Sequence, residues 1–462
     1  MHFIIFVILS TLLLLTIFWT GRNAILQGKW EYIIYFLLIY FPIYTVYLSV
    51  TYASTESVFV VKSLQFFKDL IVIFAVFIFV LFQKNIFQYP FRLTLVDKLF
   101  AALILLAVFF LFAPIGEATF SGKIFYFKGM IIPAMVYFMG RNTKFNDKEV
   151  ALVFKIIFGL TVIGFAVNLM EVVLDTHFQT FTGYASFNQV INNVEPSGNF
   201  GLSWTFETQA MTKRLASVFS DPLELSSSVL MGFAAGLIWY LTSKREDSIP
   251  YIFIMLFAMA SLFFAASRAS FASFFVMLFF IAITFRLYTL IMIGFSMVVS
   301  FVVFVVFFAS EDFYFFVIDT LTFQNLSSVG HLVEWLVALE GMIENPLGVG
   351  LAMSGNAGSV TDDLRIGGEN QFLIYGVQLG WIGMIIYILL LTFSIIHSIR
   401  VFRNTDNVMT ARVAFTGAAA KTGLILPLFT ANAEMYLYIS WISWWMIGYA
   451  MNNYSKLKTD EA

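Results

Sequence analysis

Five side chains in this sequence have the types and placement to grip a phosphate or move a proton at the edge of a membrane. Arg214 stands just before an apolar run that opens at Pro222. Arg268 sits in Ser267-Arg268-Ala269-Ser270, between two apolar runs with almost no loop. Arg365 and Glu369 precede the run that starts near residue 371, and His331 opens a short helical pattern upstream. Charge at a membrane edge is costly, so each such residue is a functional candidate. A guanidinium presents a planar fork of donors that grips phosphate bidentately. The plain alternative for each arginine is a snorkelling contact with lipid headgroups. Lys123 and Lys128 lie at the start of another run and share both readings. His331 is one of only four histidines and could act as a general base near neutral pH, or serve a structural role. Glu369 could take a proton from a sugar hydroxyl, or only pair with Arg365 four residues earlier. Glu334 and Glu340 fall on the polar side of the same helical pattern and are expected to be solvated. His2 and His397 lie at segment ends and read as incidental, and His177 sits in a long loop with no evident partner.

The elements that position these residues are membrane helices. Of 462 residues, 60% are hydrophobic and 12% charged, where a soluble domain has about 25% charged. Mean hydropathy is +0.88. This excludes a disordered chain and an ordinary soluble enzyme. Gly at 28 and Pro at 9 exclude a collagen-like one. The net charge of -2 argues against a nucleic-acid partner. With no Cys there is no disulfide, thiolate metal site or thiol nucleophile. Phosphate-loop, dinucleotide-binding and H-E-x-x-H signatures are absent, and Gly348-Val349-Gly350 alone is weak. Asp362-Asp363 could hold a divalent ion, though a lone acidic pair in a loop is usually solvated. No metal and no cofactor is expected.

Runs of about 20 apolar residues are long enough to span a bilayer. About thirteen occur, near 2–20, 31–50, 65–83, 99–114, 124–140, 150–171, 222–242, 250–266, 269–285, 288–308, 371–395, 413–430 and 435–451. Lys128, Lys155 and Lys421 interrupt three of them. The runs are continuous rather than alternating, which excludes an outer-membrane barrel. The first lacks a basic flank and a cleavage site, and reads as a retained helix. The expected fold is all-α: one polytopic transmembrane domain over 1–462.

Sixteen of the 26 basic residues fall in one set of alternate loops and the carboxyl tail, among them Lys29, Arg92, Arg141, Lys244, Arg403 and Arg412. That side is expected to be cytoplasmic. The amino terminus is then outside. Two long loops, 172–221 and 309–370, fall on the outer side, and long loops are often functional. In the second, Leu332, Trp335, Leu336, Leu339 and Met342 recur at helical spacing. They predict an amphipathic helix over Val329 to Ile343 that lies on the membrane or caps a cavity. Asn345-Pro346 stops it.

Taken in order, these segments resemble the O-antigen ligase and polymerase superfamily. The match rests on Arg214 through Ser220-Asp221-Pro222, on Ser267-Arg268, and on Trp335 to Glu344-Asn345-Pro346-Leu347-Gly348-Val349-Gly350. It continues with Glu369-Asn370 and, after nine intervening residues, Gly380-Trp381-Ile382-Gly383. It covers about 214–385; the first 200 residues match only as apolar spans. The resemblance implies a metal-independent, GT-C-like multi-span glycosyltransferase at the outer face of the inner membrane. Its donor would be a glycan linked to polyprenyl (undecaprenyl) pyrophosphate, and its acceptor a second glycan. Other polysaccharide assembly proteins are potential partners. Arg214, Arg268 and Arg365 would bind the pyrophosphate, and Glu369 or His331 would activate the acceptor hydroxyl. The family's ligases typically have His-Asn where this chain has Glu369-Asn370, which favours a polymerase making O-antigen or exopolysaccharide. The family often has Arg where this chain has His331. The alternatives are a ligase that moves a finished glycan to a lipid or protein, and a polysaccharide or lipid transporter.

Overall fold

The computed structural model describes residues 2–83, 92–208, 212–308, 310–322, 324, 326–355, 360 and 364–460. Asp362-Asp363 and Lys84 lie outside them. The chain is a bundle of helices. In order these are α1 (His2–Gln27), α2 (Ile33–Thr55), α3 (Val58–Phe82), α4 (Leu95–Phe112), α5 (Phe120–Asn142), α6 (Asp147–Val173), α7 (Tyr184–Ile191) and α8 (Pro222–Thr242). Then come α9 (Ile249–Ala265), α10 (Arg268–Thr284), α11 (Tyr288–Phe307), α12 (Glu311–Leu321) and α13 (Leu326–Glu344). The chain closes with α14 (Gln371–Asn404), α15 (Val408–Gly423), α16 (Ile425–Thr430) and α17 (Leu437–Asp460). Among the described residues no β-strand occurs, only the isolated bridges Ser197–Leu202 and Glu207–Lys213.

The apolar runs lie in helical segments, and the run at 413–430 is divided between α15 and α16. Nine helical segments among the described residues are long and apolar enough to cross a membrane, and Arg268–Thr284 and Ile291–Phe307 are shorter apolar helices. The chain therefore has the build of a multi-pass membrane protein. Apolar side chains on α1, α3 and α11 point outward, including Phe18, Phe59 and Phe307. Large aromatics fill the centre: Trp444, Trp445, Tyr35, Tyr40 and Tyr387 are fully buried. Aliphatic groups gain nothing by leaving lipid, so close packing must hold such helices together. The α5–α17 pair shows how. Gly140 lies against the Trp445 carbonyl and Gly448 against the Tyr137 carbonyl, with no room for a Cβ at either. Each helix thus sinks into the other.

Caps mark the helix starts. Thr94 and Asp97 form a reciprocal capping box on α4, and Asn146 and Glu149 form one on α6. Asp221 caps α8, accepting from Leu223 N at 2.7 Å and Glu224 N at 2.8 Å, with Pro222 in the first turn.

Contacts sort the loops into two ends of the bundle. At one end Lys29 pairs with Glu149 at 3.1 Å, and Arg141 donates to the Arg92 carbonyl at 2.7 Å. There too, Arg412 Nε donates to Thr242 at 2.8 Å and Arg403 to the Thr284 carbonyl at 3.3 Å. At the other end His2 bonds the Phe181 carbonyl at 2.9 Å, and Leu215 N bonds the Phe264 carbonyl at 3.0 Å. Both long loops belong to this second end.

Neither long loop hangs free. In the first, α7 packs on α2 and α3 through Phe187 and Ile191. Buried Gln179 donates to the Ser217 and Phe219 carbonyls, both at 2.9 Å. Glu171, at the end of α6, accepts from Phe178 N at 3.0 Å and Ser217 N at 3.1 Å. In the second, residues 345–350 run as a strap across α14, which is broken at Gly380 (φ 74°, ψ 178°). The break frees the carbonyls of Val377 and Gln378. Val349 N takes the first at 2.9 Å and Gly350 N the second at 3.2 Å. Trp381 N returns a bond to the Pro346 carbonyl at 3.2 Å, and the Trp381 indole bonds the Met342 carbonyl at 3.2 Å. A break at membrane depth is stable only when its polar groups are satisfied in this way.

Candidate functional site

The second end of the bundle holds all five predicted residues. They form two groups.

The first group is Arg214 with Arg268. The last stretch of the first loop lies along the end of α9, where Leu215 N bonds the Phe264 carbonyl. This places Arg214 Nε 3.1 Å from the Ala265 carbonyl, one of the carbonyls left over at the end of that helix. Three residues later Arg268 starts α10. Ala266 turns the chain in a left-handed conformation (φ 47°), and Ser267 caps the new helix through Ser270 N. Arg214 is half-buried, and Arg268 is exposed. Arg214 feels the charge of Arg268. Burial, then Arg268, lowers the Arg214 pKa, while Asp221 and Tyr436 oppose that. A guanidinium stays charged all the same. Asp221 is itself pushed up by burial. Among the described residues no hydrogen bond or ion pair engages Arg268.

The second group is a crossed double pair. His331 and Glu334 stand one turn apart on α13; Arg365 and Glu369 stand four residues apart in the segment leading to α14. His331 Nδ1 meets Glu369 Oε2, and Arg365 Nη2 meets Glu334 Oε1 at 3.3 Å. All four side chains are partly exposed. The expectation that Glu334 is merely solvated fails, because Arg365 comes to it from another segment. The i, i+4 pairing of Arg365 with Glu369 gives way to these cross-segment pairs. Below them Asn370 caps α14, accepting from Phe372 N at 3.0 Å and Leu373 N at 3.2 Å.

The apolar stripe predicted on α13 divides. Met342 and Ala338 are buried against Leu373 and Val377 of α14, with Trp335 beside them. Leu332, Leu336 and Leu339 stay exposed. The inward face is therefore His331, Glu334, Trp335, Ala338 and Met342.

The short helix α16 links the groups, since it packs on both α10 and α14. Its Phe429 meets Phe372 at a centroid distance of 4.8 Å and Trp335 at 6.3 Å.

Other candidates have local duties. Lys123 donates to the Ala113 and Ile115 carbonyls at 3.0 and 2.8 Å, tying the α4–α5 turn. His177 is buried edge-on against Phe200 and Phe206. Burial, helped by Lys213, holds its pKa down at about 4. Lys155 is exposed on α6, while Lys421 is fully buried and pairs with Glu434 at 3.2 Å. Glu434 also accepts from Tyr387, Ser440 and the Trp444 indole. Lys68 and Lys128 both bind Asp69, at 3.5 and 2.8 Å. Sequence reasoning passed over Asp69, Glu434 and Tyr436. The first had a visible signal, a Lys-Asp pair inside an apolar run. The other two lie in a short link between α16 and α17 that nothing in the sequence singles out.

Among the described residues no group of three or more His, Asp or Glu side chains is placed to hold a metal ion. No family model matches the chain, and no curated protein matches it.

Proposed function

We propose that this protein is a polysaccharide polymerase of the inner membrane, a metal-independent glycosyltransferase with thirteen spans and a GT-C-like architecture. It joins repeat units carried on polyprenyl pyrophosphate. The reaction takes place at the outer face, the end with the long loops. One observation carries this reading: Arg268 presents an exposed guanidinium beside Arg214, and no side chain among the described residues neutralises it.

In this reading Arg214 and Arg268 hold the pyrophosphate of the donor. Arg365 borders the site and is held by Glu334. Glu369 grips His331 through Nδ1, which leaves Nε2 free as the base. The acceptor hydroxyl oxygen attacks the anomeric carbon of the donor, and the carbon–oxygen bond to the pyrophosphate breaks. The hydroxyl proton passes to His331 Nε2. The electron pair leaves on the pyrophosphate, where the preplaced arginines meet the growing charge. Glu369 is thus a positioning residue that selects the tautomer.

Purified protein incubated with a defined polyprenyl-pyrophosphate oligosaccharide, without added metal, should give a ladder of products. Arg268→Ala should abolish chain lengthening and leave membrane insertion intact. Long polymer at normal levels from that variant overturns the assignment of Arg268. A single transfer to another acceptor means a ligase instead. A transporter has one observation in its favour: a helix broken at Gly380 that further along, through Tyr387, bonds the buried Lys421–Glu434 pair, as transporters break helices around their sites. Movement of the intact donor across a vesicle membrane without transfer selects that reading.

A further inference from the structure

A second polar site lies deeper in the same half of the bundle, walled by α3, α5, α14, α17 and the link before α17. Lys68, Asp69, Lys128, Gln371, Asn432 and Glu434 supply its polar lining. Phe125, Tyr375 and Trp441 supply rings. No step of the proposed transfer uses any of them.

Three observations say that it is built for a ligand. The first is charge. Lys68 and Lys128 face Asp69, and Lys421 answers Glu434 from behind the wall. Three ammonium groups thus stand against two carboxylates. One positive charge is left over in a region where uncompensated charge is expensive. The second is an orphan. Gln371 is 3% exposed, and its side-chain oxygen has no hydrogen-bond partner among the described residues, although it lines the cavity. Buried polar atoms are normally satisfied. The third is rigidity. Glu434 is fixed by Lys421, Tyr387, Ser440 and Trp444, so the wall behind the cavity is preorganised.

We infer that this cavity binds a carboxylated sugar unit of the glycan. The sugar carboxylate completes the charge balance at Lys68 and Lys128. Its hydroxyls engage the Gln371 and Asn432 side chains, and its apolar ring face lies on the aromatic wall. Gln371 follows Glu369 by two residues, and Met435 of the lining precedes Tyr436, a neighbour of Arg214. The cavity therefore adjoins both groups of the candidate site and would choose which repeat unit enters it. The choice of a sugar over another monoanion rests on the glycan reading above.

The test is lysine footprinting. The protein is placed in nanodiscs of phosphatidylcholine and treated with a small acetylating ester. Acetylation of each lysine is followed by mass spectrometry with D-glucuronate, D-glucose or chloride present. At a glucuronate concentration of about four times Kd, acetylation of Lys128 should slow about fivefold, with Lys68 following and exposed Lys244 unchanged. Glucose and chloride should have no effect. Lys128→Gln should lose glucuronate binding, read independently by saturation-transfer NMR on a variant whose thermal unfolding matches the parent. Absence of protection by glucuronate overturns the inference, and so does equal protection by glucose. Protection by phosphatidylglycerol nanodiscs alone also overturns it, because the occupant is then a lipid headgroup. None of these outcomes depends on whether Arg268→Ala blocks chain lengthening, so the cavity and the polymerase reading can fail separately.

Discussion

His331 and Glu369 are 38 positions apart, yet their side chains meet. A carboxylate on Nδ1 fixes the ring and the tautomer and aims Nε2 outward. In the polymerase reading this has a kinetic signature. Glu369→Gln keeps the size of the side chain and removes its charge. It should lower kcat about 10²- to 10⁴-fold, the usual span of general-base catalysis, with little change in KM. His331→Ala should do the same. Because the two act as a unit, the double variant should be hardly worse than either one. Initial rates of ladder formation from the defined oligosaccharide measure this. Multiplying losses in the double variant would separate the two roles. At this scale the sequence was legible where a residue's environment is set locally. Arg268, between two apolar runs, had to lie at a membrane edge, and it does lie at a helix start, exposed. Glu334 was misread because its partner arrives from residue 365, and helical periodicity carries no information about that.

The element that shapes the second group is the broken helix α14. Gly380 adopts φ 74°, a left-handed value that side chains with a Cβ disfavour. Its Cα also faces the Leu347 and Pro346 backbone, and an added Cβ would stand 2.6 Å from the Leu347 carbonyl carbon. Gly348 meets Gly380 from the strap side, where a Cβ would stand 2.5 Å from the Gly380 nitrogen. Neither backbone can yield without breaking the Val349–Val377 and Trp381–Pro346 bonds. Gly380→Ala should therefore destabilise the protein by about 1 kcal/mol for the backbone conformation, and by more for the collision. Gly159→Ala, with nothing within 4 Å, is the control and should be neutral or slightly stabilising. Thermal unfolding in detergent compares them; equal midpoints would mean that the strap is not anchored there. The sequence announced this element only in part. Asn345-Pro346 showed where α13 ends and the apolar run at 371–395 showed a helix. The break within that run did not show, because its freed carbonyls accept hydrogen bonds from Val349 and Gly350, each 28 residues earlier. The same holds for the first long loop, where nothing in the sequence hints that Gln179 and Glu171 clamp it to the bundle.

For the whole molecule, the two ends of the bundle carry the functional argument. Lys29, Arg92, Arg141, Arg403 and Arg412 meet their neighbours at one end, and Arg214, Arg268 and Arg365 lie at the other. The count of basic residues in alternate loops groups the same residues, and at the first end they engage their neighbours through the Lys29–Glu149 ion pair and through guanidinium bonds to carbonyl and hydroxyl oxygens. Which end faces the cytoplasm follows only from the excess of Lys and Arg. A chain without cysteine offers a direct measurement. Glu195 and Glu246 are both exposed, the first in the long-loop end and the second at the basic end. In intact spheroplasts a membrane-impermeant maleimide should label Glu195→Cys. It should label Glu246→Cys only after the membrane is opened. The reverse pattern would put Arg214, Arg268 and the His331–Glu369 pair in the cytoplasm. That would remove the outer-face polymerase reading while leaving every contact described above in place. The glucuronate footprint would still report on the cavity, because its lining is fixed by the bundle and not by the direction in which the bundle is inserted.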